Sequence, residues 1–203
     1  MTEGAAQDVP RRGRPRSETS RTAILAAARE LIATHDLSSI SMDAVAVRAG
    51  ASKATIYRWW PSKELLALDA LSSEWAPARP DPRDTGSLDG DLLALMRPWA
   101  RQLAAKPYGR VLAALITKAQ SDAAFAEEYR ARFVQPRREQ ARAIFARAID
   151  RGEIPADTDT EVAIDLLYGP FYHRILHGHA KLSDRFTRAI VAYVAAAVAQ
   201  THE

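Results

Sequence analysis

The stretch that most limits what this chain can fold into runs from Ser41 to Lys63. Met42, Val45, Ala46 and Ala49 recur at helical spacing, and the run stops at Gly50. Glycine takes the left-handed conformation that ends a helix and turns the chain. Ser52 then suits the N-cap of a second short helix. In that helix Ala54, Ile56 and the pair Trp59-Trp60 are apolar, while Ser52, Lys53, Thr55, Tyr57 and Arg58 carry donors. Two short helices about a glycine turn, the second rich in donors, form the pattern of a helix-turn-helix whose second helix suits the major groove of DNA.

The charge distribution agrees. The 203 residues carry a net charge of only +3, but up to Lys63 ten Lys/Arg stand against six Asp/Glu. Beyond Lys63 the count is eighteen against nineteen. The basic excess therefore lies in the N-terminal third, which suggests a polyanionic partner for that part alone. Much of it is Arg11-Arg12-Gly13-Arg14-Pro15-Arg16. Glycine, proline and like charges favour an extended arm, and an extended arginine arm beside a DNA-reading helix fits a minor groove. The plain alternative for this segment is a solubilising tail.

Helical periodicity continues on both sides, and no segment alternates with period two, so the fold expected is all-α. Ile24, Leu25, Ala28, Leu31 and Ile32 form one stripe on a first helix from about Ser17 to Thr34. With Leu37, Ile40, Met42, Val45, Ile56 and Trp60 they predict a three-helix core. Pro61-Ser62-Lys63-Glu64 reads as the start of a fourth helix, proline in its first turn, running through Leu71 to about Trp75. Pro77, Pro80, Pro82 and Gly86 mark a boundary. The expected division is a flexible basic arm (1–16), a DNA-binding domain (17–77) and a helical second domain (78–203). Further helices are expected over about 88–105, 108–120, 122–151, 160–177 and 183–200. Pro136 should kink or divide the long third one.

From Ala23 to about Leu71 the chain resembles the TetR family of transcriptional regulators. The residues that carry the resemblance are Ile24-Leu-Ala-Ala-Ala-Arg-Glu-Leu31, Ser41-Met-Asp-Ala-Val-Ala, Ala49-Gly-Ala-Ser-Lys-Ala-Thr-Ile-Tyr-Arg58 and Pro61-Ser-Lys-Glu-Leu-Leu66. Asp84-Thr-Gly-Ser-Leu-Asp-Gly-Asp-Leu-Leu, Arg132-Phe-Val-Gln-Pro-Arg-Arg and Asp165-Leu-Leu-Tyr-Gly-Pro-Phe-Tyr extend it more loosely to a regulatory-domain subgroup of that family. The resemblance implies a homodimer with an N-terminal DNA-reading head and a C-terminal body for ligand binding and dimerisation. It implies a repressor released from a palindromic operator in double-stranded DNA by a small molecule.

By the same resemblance Ser41, Tyr57 and Lys63 look like phosphate contacts, a hydroxyl or ammonium near a helix start suiting an anion. Lys53, Thr55 and Arg58, with Ser52, are candidates for base or nearby backbone contacts, and Arg14 and Arg16 for the arm. Trp59 stands where the family often has a cationic or imidazole side chain; it keeps an indole donor but no charge. The last two helices, rich in Leu, Val and Ala, would form the dimer interface. A small apolar or aromatic ligand would meet Trp75, Met96, Trp99, Tyr108 and Phe125, together with Tyr129, Phe133, Tyr168, Tyr172 and His173. Each of these aromatics is equally at home in a plain core.

Other classes find little support. There is no cysteine, so disulfides, thiolate metal sites and cysteine nucleophiles are excluded. No nucleophile elbow, glycine-rich phosphate loop or paired metal-ligand motif occurs, so neither an enzyme nor a cofactor is expected. His173 and His177 are four apart, but a third ligand is missing: Asp165 is two turns away and His179 falls past the helix. The start lacks a signal-peptide pattern and no apolar run reaches membrane-spanning length, so the expectation is a cytoplasmic protein with no membrane partner. The rival reading is a helical protein-interaction module with vestigial DNA binding, indifferent to loss of residues 1–16.

Overall fold

The computed structural model describes residues 15–75, 83–105 and 107–199, without the side chains of residues 15–17, 74 and 75. The described chain is all helical. Helix α1 spans Pro15–Ile32, a 3-10 turn follows at Leu37–Ser39, and α2 (Met42–Ala49), α3 (Lys53–Trp59) and α4 (Lys63–Trp75) complete the first part. The body comprises α5 (Leu88–Ala104), α6 (Tyr108–Ser121), α7 (Ala123–Tyr129), a π-turn at Arg130–Val134, α8 (Gln135–Asp150), α9 (Thr160–His177) and α10 (Asp184–Ala199).

Two boundaries differ from the sequence expectation. Helix α1 begins at Pro15 rather than near Ser17, so Arg16 belongs to its first turn and not to an extended arm. Proline in a first turn leaves no N–H unpaired, and its fixed φ already matches a helix. Arg14 and the side chain of Arg16 lie outside the described residues. Pro61 does not enter α4; Ser62 caps that helix, its Oγ accepting from the Leu65 N–H at 3.2 Å.

The expected three-helix core is present. Ile24, Ile32, Leu37, Ile40, Met42, Val45, Ile56 and Trp60 are buried, and Leu31 packs against them half-buried. Each large aliphatic contributes about 1.5–3 kcal/mol by leaving water. Helix α4 buries Leu66, Ala67, Leu68, Ala70 and Leu71, more than a single stripe. A helix apolar on several sides must be covered on several sides. It lies against α1 on one side and against α6, α7 and the π-turn on the other.

The expected helix over 122–151 is instead two helices joined by the π-turn. The break precedes Pro136 rather than falling on it. Proline cannot donate to the carbonyl four residues back and its ring would crowd it. The wider π-turn takes up that mismatch, and Pro136 falls in the first turn of α8.

The loop before α5 is tied to α8 by a wholly buried carboxylate, Asp91. Its Oδ1 accepts from the Thr85 backbone N–H at 2.6 Å and the Thr85 hydroxyl at 2.7 Å. Arg147 and Arg151 reach its Oδ2 at 3.1 and 3.4 Å. Burial alone would raise the Asp91 pKa, but these hydrogen bonds and the Arg147 charge hold it below the usual carboxylate value.

Helix α10 packs on α5 and α9 through Val191, Val194 and Val198. The other side of the pair is bare. Val162, Leu166 and Leu176 of α9 and Tyr193 of α10 are about half exposed or more. Ala192, Ala196 and Ala197 are exposed beside Tyr193.

Candidate nucleic-acid interface

The turn between α2 and α3 is built from three local devices. Ser41 caps α2, its Oγ accepting from the Ala44 N–H at 3.1 Å. Gly50 closes α2 with φ 60 and ψ 33, and the Ala51 N–H reaches back to the Ala46 carbonyl at 3.0 Å. Ser52 caps α3 by accepting from the Thr55 N–H at 3.1 Å. Ile56 and Trp60 anchor α3 in the core, and this decides which residues face outward. Lys53, Ala54, Tyr57 and Arg58 are exposed, with Ser52 at their N-terminal end.

The structure thus brings Ser52, Lys53, Tyr57 and Arg58 onto one open surface, with Ser41 exposed at the start of the neighbouring helix. Thr55 is half-buried, and its hydroxyl lies 2.8 Å from that of Ser52, so it serves the cap. Trp59 differs more from expectation. Its indole Nε1 is buried without a hydrogen-bond partner, so it is not presented as a surface donor. Its ring packs partly buried against the core, with the Arg21 guanidinium 5.8 Å from its centre. Lys63 is half-buried, and its Nζ donates to the Leu37 carbonyl at 3.1 Å. That bond ties the start of α4 to the 3-10 turn.

Sequence reasoning missed four neighbours. Asp43 of α2 pairs with Lys53 at 2.5 Å, both side chains more than half exposed. Val47, on the same helix, is 85 % exposed. Asp69 of α4 is a junction: it accepts from the Trp60 indole N–H at 2.9 Å and from Arg132 of the π-turn at 2.8 Å. Arg21 of α1 lies 3.7 Å from the same carboxylate. None of these pairings has a signal in residue spacing. A fifth residue that it missed, Arg137, belongs to the body.

There the candidate ligand residues separate. Met96, Trp99, Tyr108, Phe125, Tyr129, Phe133 and Tyr168 are buried, and Tyr172 is half-buried. Trp99 meets the rings of Tyr168 and Phe171 at 5.2 Å and of Tyr172 at 5.9 Å, while Tyr129 stacks on Phe133 at 5.3 Å. A cavity of about 220 Å³ beside them is lined by Val134, Arg137, Arg138, Asp165, Tyr168, Gly169 and Tyr172. The side chain of Trp75 lies outside the described residues. His173 does not join this group; it is exposed on α9. His179 lies past the end of α9, as expected, with its ring 4.9 Å from that of His173; the His177 ring is 4.7 Å from it. Among the described residues no group of three His, Cys, Asp or Glu has the geometry to hold a metal ion. No helix among them is long and apolar enough to cross a membrane.

Comparison with known proteins follows the same division. Residues 24–70 match the family described as bacterial regulatory proteins, tetR family. Residues 82–194 match the family described as tetracyclin repressor-like, C-terminal domain. The chain is 40% identical to the uncharacterized HTH-type transcriptional regulator YdeS of Bacillus subtilis, over 89% of this chain and 90% of that one. It is 33% identical to the DNA-binding transcriptional repressor TetR of Mycobacteroides abscessus, over 87% of this chain and 92% of that one. Among solved structures, the TetR family transcription regulator SCO0332 superposes with a TM-score of 0.74 at 36% identity, over 88% of this chain and 98% of that one.

Proposed function

This chain belongs to the TetR family, whose members are DNA-binding transcriptional regulators and not enzymes, and from that premise we propose a homodimeric repressor released from a palindromic operator by a small molecule. The observation that carries the reading is the α3 surface. A capped, core-anchored helix holds Lys53, Tyr57 and Arg58 outward together on one exposed face, as major-groove readout requires.

In this reading Lys53 and Arg58 address base edges or adjacent phosphates. Tyr57, Ser41 and the remaining donors of Lys63 hold the backbone, and Arg14 and Arg16 extend the grip. Ser52 and Thr55 shape the start of the helix. Two heads are needed, because a palindromic operator repeats the half-site about one helical turn away. The bare faces of α9 and α10 supply the self-complementary patch that a twofold dimer needs. A ligand within the body would move α4, which is packed on both the head and the body, and so change the spacing of the two heads. A coupling of about 1–3 kcal/mol changes DNA affinity roughly 5–150-fold.

Selection of bound fragments from random duplex DNA tests the reading. The expected outcome is a palindrome whose half-sites lie about 10 base pairs apart, centre to centre. Binding without sequence preference, unaffected by removal of residues 1–16, would favour the protein-interaction module instead.

A further inference from the structure

A groove at the C-terminal end of α9 stands apart from the aromatic cluster. It opens between the end of α5, the start of α6 and the chain that joins α9 to α10. Its volume of about 610 Å³ equals about twenty waters and falls in the range of small-molecule sites. Leu103, Ile175 and Leu182 give it aliphatic walls, and no Phe, Tyr or Trp lines it. Arg110, Arg174 and Lys181 stand at the same walls, and among the described residues none of the lining side chains is acidic. Three smaller cavities differ in that respect. Each sets a carboxylate in its wall: Asp165 in the first, Asp157 and Asp159 in the second, Asp89 and Glu153 in the third.

The two arginines of the groove are held in different ways. Arg174 donates to the Lys181 carbonyl at 2.5 Å and lies 3.4 Å from the centre of the Phe186 ring. Both partners are neutral, so they fix the guanidinium in place without cancelling its charge. The same bond folds the connection between α9 and α10 back on α9, which brings Lys181 and Leu182 to the groove. Arg110 does meet an anion: its Nε lies 2.9 Å from Oδ1 of Asp36, just before the 3-10 turn. That contact lacks the alignment of a hydrogen bond, and the two side chains are 65 % and 43 % exposed. An exposed pair of this kind is weak, and a better-placed anion can displace the carboxylate.

We propose that this groove binds a small organic anion with an aliphatic body, its carboxylate or phosphate held by Arg110 and Lys181 and its hydrocarbon chain laid along Leu103, Ile175 and Leu182. The proposal rests on the ligand-released regulator described above and names the ligand class and its place. A guanidinium meets a carboxylate or a phosphate with two parallel charge-assisted hydrogen bonds, which an uncharged head of the same size cannot reproduce. The occupant takes Arg110 from Asp36. Helix α6, which carries Arg110, packs on α4 and on the 3-10 turn of the head.

The test is calorimetric titration of the full-length protein with hexanoate, octanoate and octyl phosphate, with octanamide as the uncharged control and octyltrimethylammonium as the opposite charge. At least one eight-carbon anion should bind, and octanamide more weakly by about tenfold or more. Either anion as the tighter ligand supports the site and identifies its head group. Where octanoate binds, hexanoate should bind about tenfold more weakly, because two fewer methylenes leave water. Arg110→Gln should weaken the anion by about tenfold or more while leaving octanamide unchanged, and Asp36→Asn, which removes the competing carboxylate, should tighten it by about twofold or more. Octanamide or octyltrimethylammonium binding as tightly as the anions, anion affinity indifferent to both substitutions, or no binding by either eight-carbon anion would overturn the proposal. DNA capture by the same samples without ligand separates this outcome from failure of the regulator reading. Captured DNA that the bound anion did not release would leave that reading standing and remove the anion as its ligand.

Discussion

At the scale of single residues, Lys53 shows how a contact can be held in reserve. Its pairing with Asp43 is exposed on both sides. Such pairs contribute at most about 1 kcal/mol, so a phosphate or a guanine edge can displace the carboxylate. Asp43→Asn should therefore raise DNA affinity. Lys53→Ala should lower it and, where the lysine meets a phosphate, shallow the salt dependence by about one unit. Fluorescence anisotropy over several salt concentrations reads both effects; identical affinities in the two variants would remove Lys53 from the interface. Gly90 poses a different problem. A Cβ there would lie 2.2 Å from the Thr85 hydroxyl oxygen and 2.9 Å from that of Ser87. Thr85 cannot yield without leaving Asp91. Gly90→Ala should thus cost more than about 1 kcal/mol in urea unfolding, although alanine is the better helix former by about that amount. A stabilised variant would show that the loop simply moves aside.

At the scale of elements, the body is stapled by charges that a pH titration can reach. Arg142 and, next, Arg138 of α8 hold Glu161 of α9 at a pKa of about 2, against 4.5 for the free group. The folded value lies below the unfolded one, so this stabilisation is complete above pH 4.5 and is lost as pH falls toward 2. Asp91 has the same sign, starting from 3.8 and running downward. Thermal melts should show the wild type losing stability over this acid range faster than Glu161→Gln, with the gap shrinking in high salt because Glu161 is largely exposed. Parallel curves would mean that the α8–α9 pairs contribute nothing measurable.

The elements are also what the chain displays most openly along its sequence. Ser41, Gly50 and Ser52 each act within four residues of themselves, so cap and turn chemistry can be read along the sequence. The π-turn was only half legible. Pro136 announces a break, but where the strain is absorbed depends on how Phe133 and Arg132 pack against other helices.

At the scale of the whole molecule, two contacts should govern regulation. The first is the bare α9–α10 face. Leu166→Glu places a charge where a second subunit would bury apolar surface, so the protein should become monomeric in sedimentation and lose operator affinity while remaining folded. A variant that stayed dimeric would move the interface elsewhere. The second is Asp69, shared by Trp60 and Arg21 in the head and by Arg132 in the body. Arg132→Met removes only the body's hold on that carboxylate. Operator binding without ligand should survive, while the ligand-induced loss of affinity should fall by about threefold or more. An undiminished response would route the coupling through the apolar faces of α4 alone.

The chain by itself determined its helices, its glycine turn, its basic N-terminal third and the core of its head. Each of these is written in residue type at short, regular spacing. Folding decided the rest. Asp69 meets Arg132 because α4 packs on the π-turn 63 residues along the chain, and Asp43 meets Lys53 because the turn at Gly50 sets α3 beside α2. Trp99 of α5 likewise meets Tyr168, Phe171 and Tyr172, which α9 carries from some seventy residues further on. Spacing along one helix fixes which face a residue occupies, but the partner on that face is chosen by how whole helices pack.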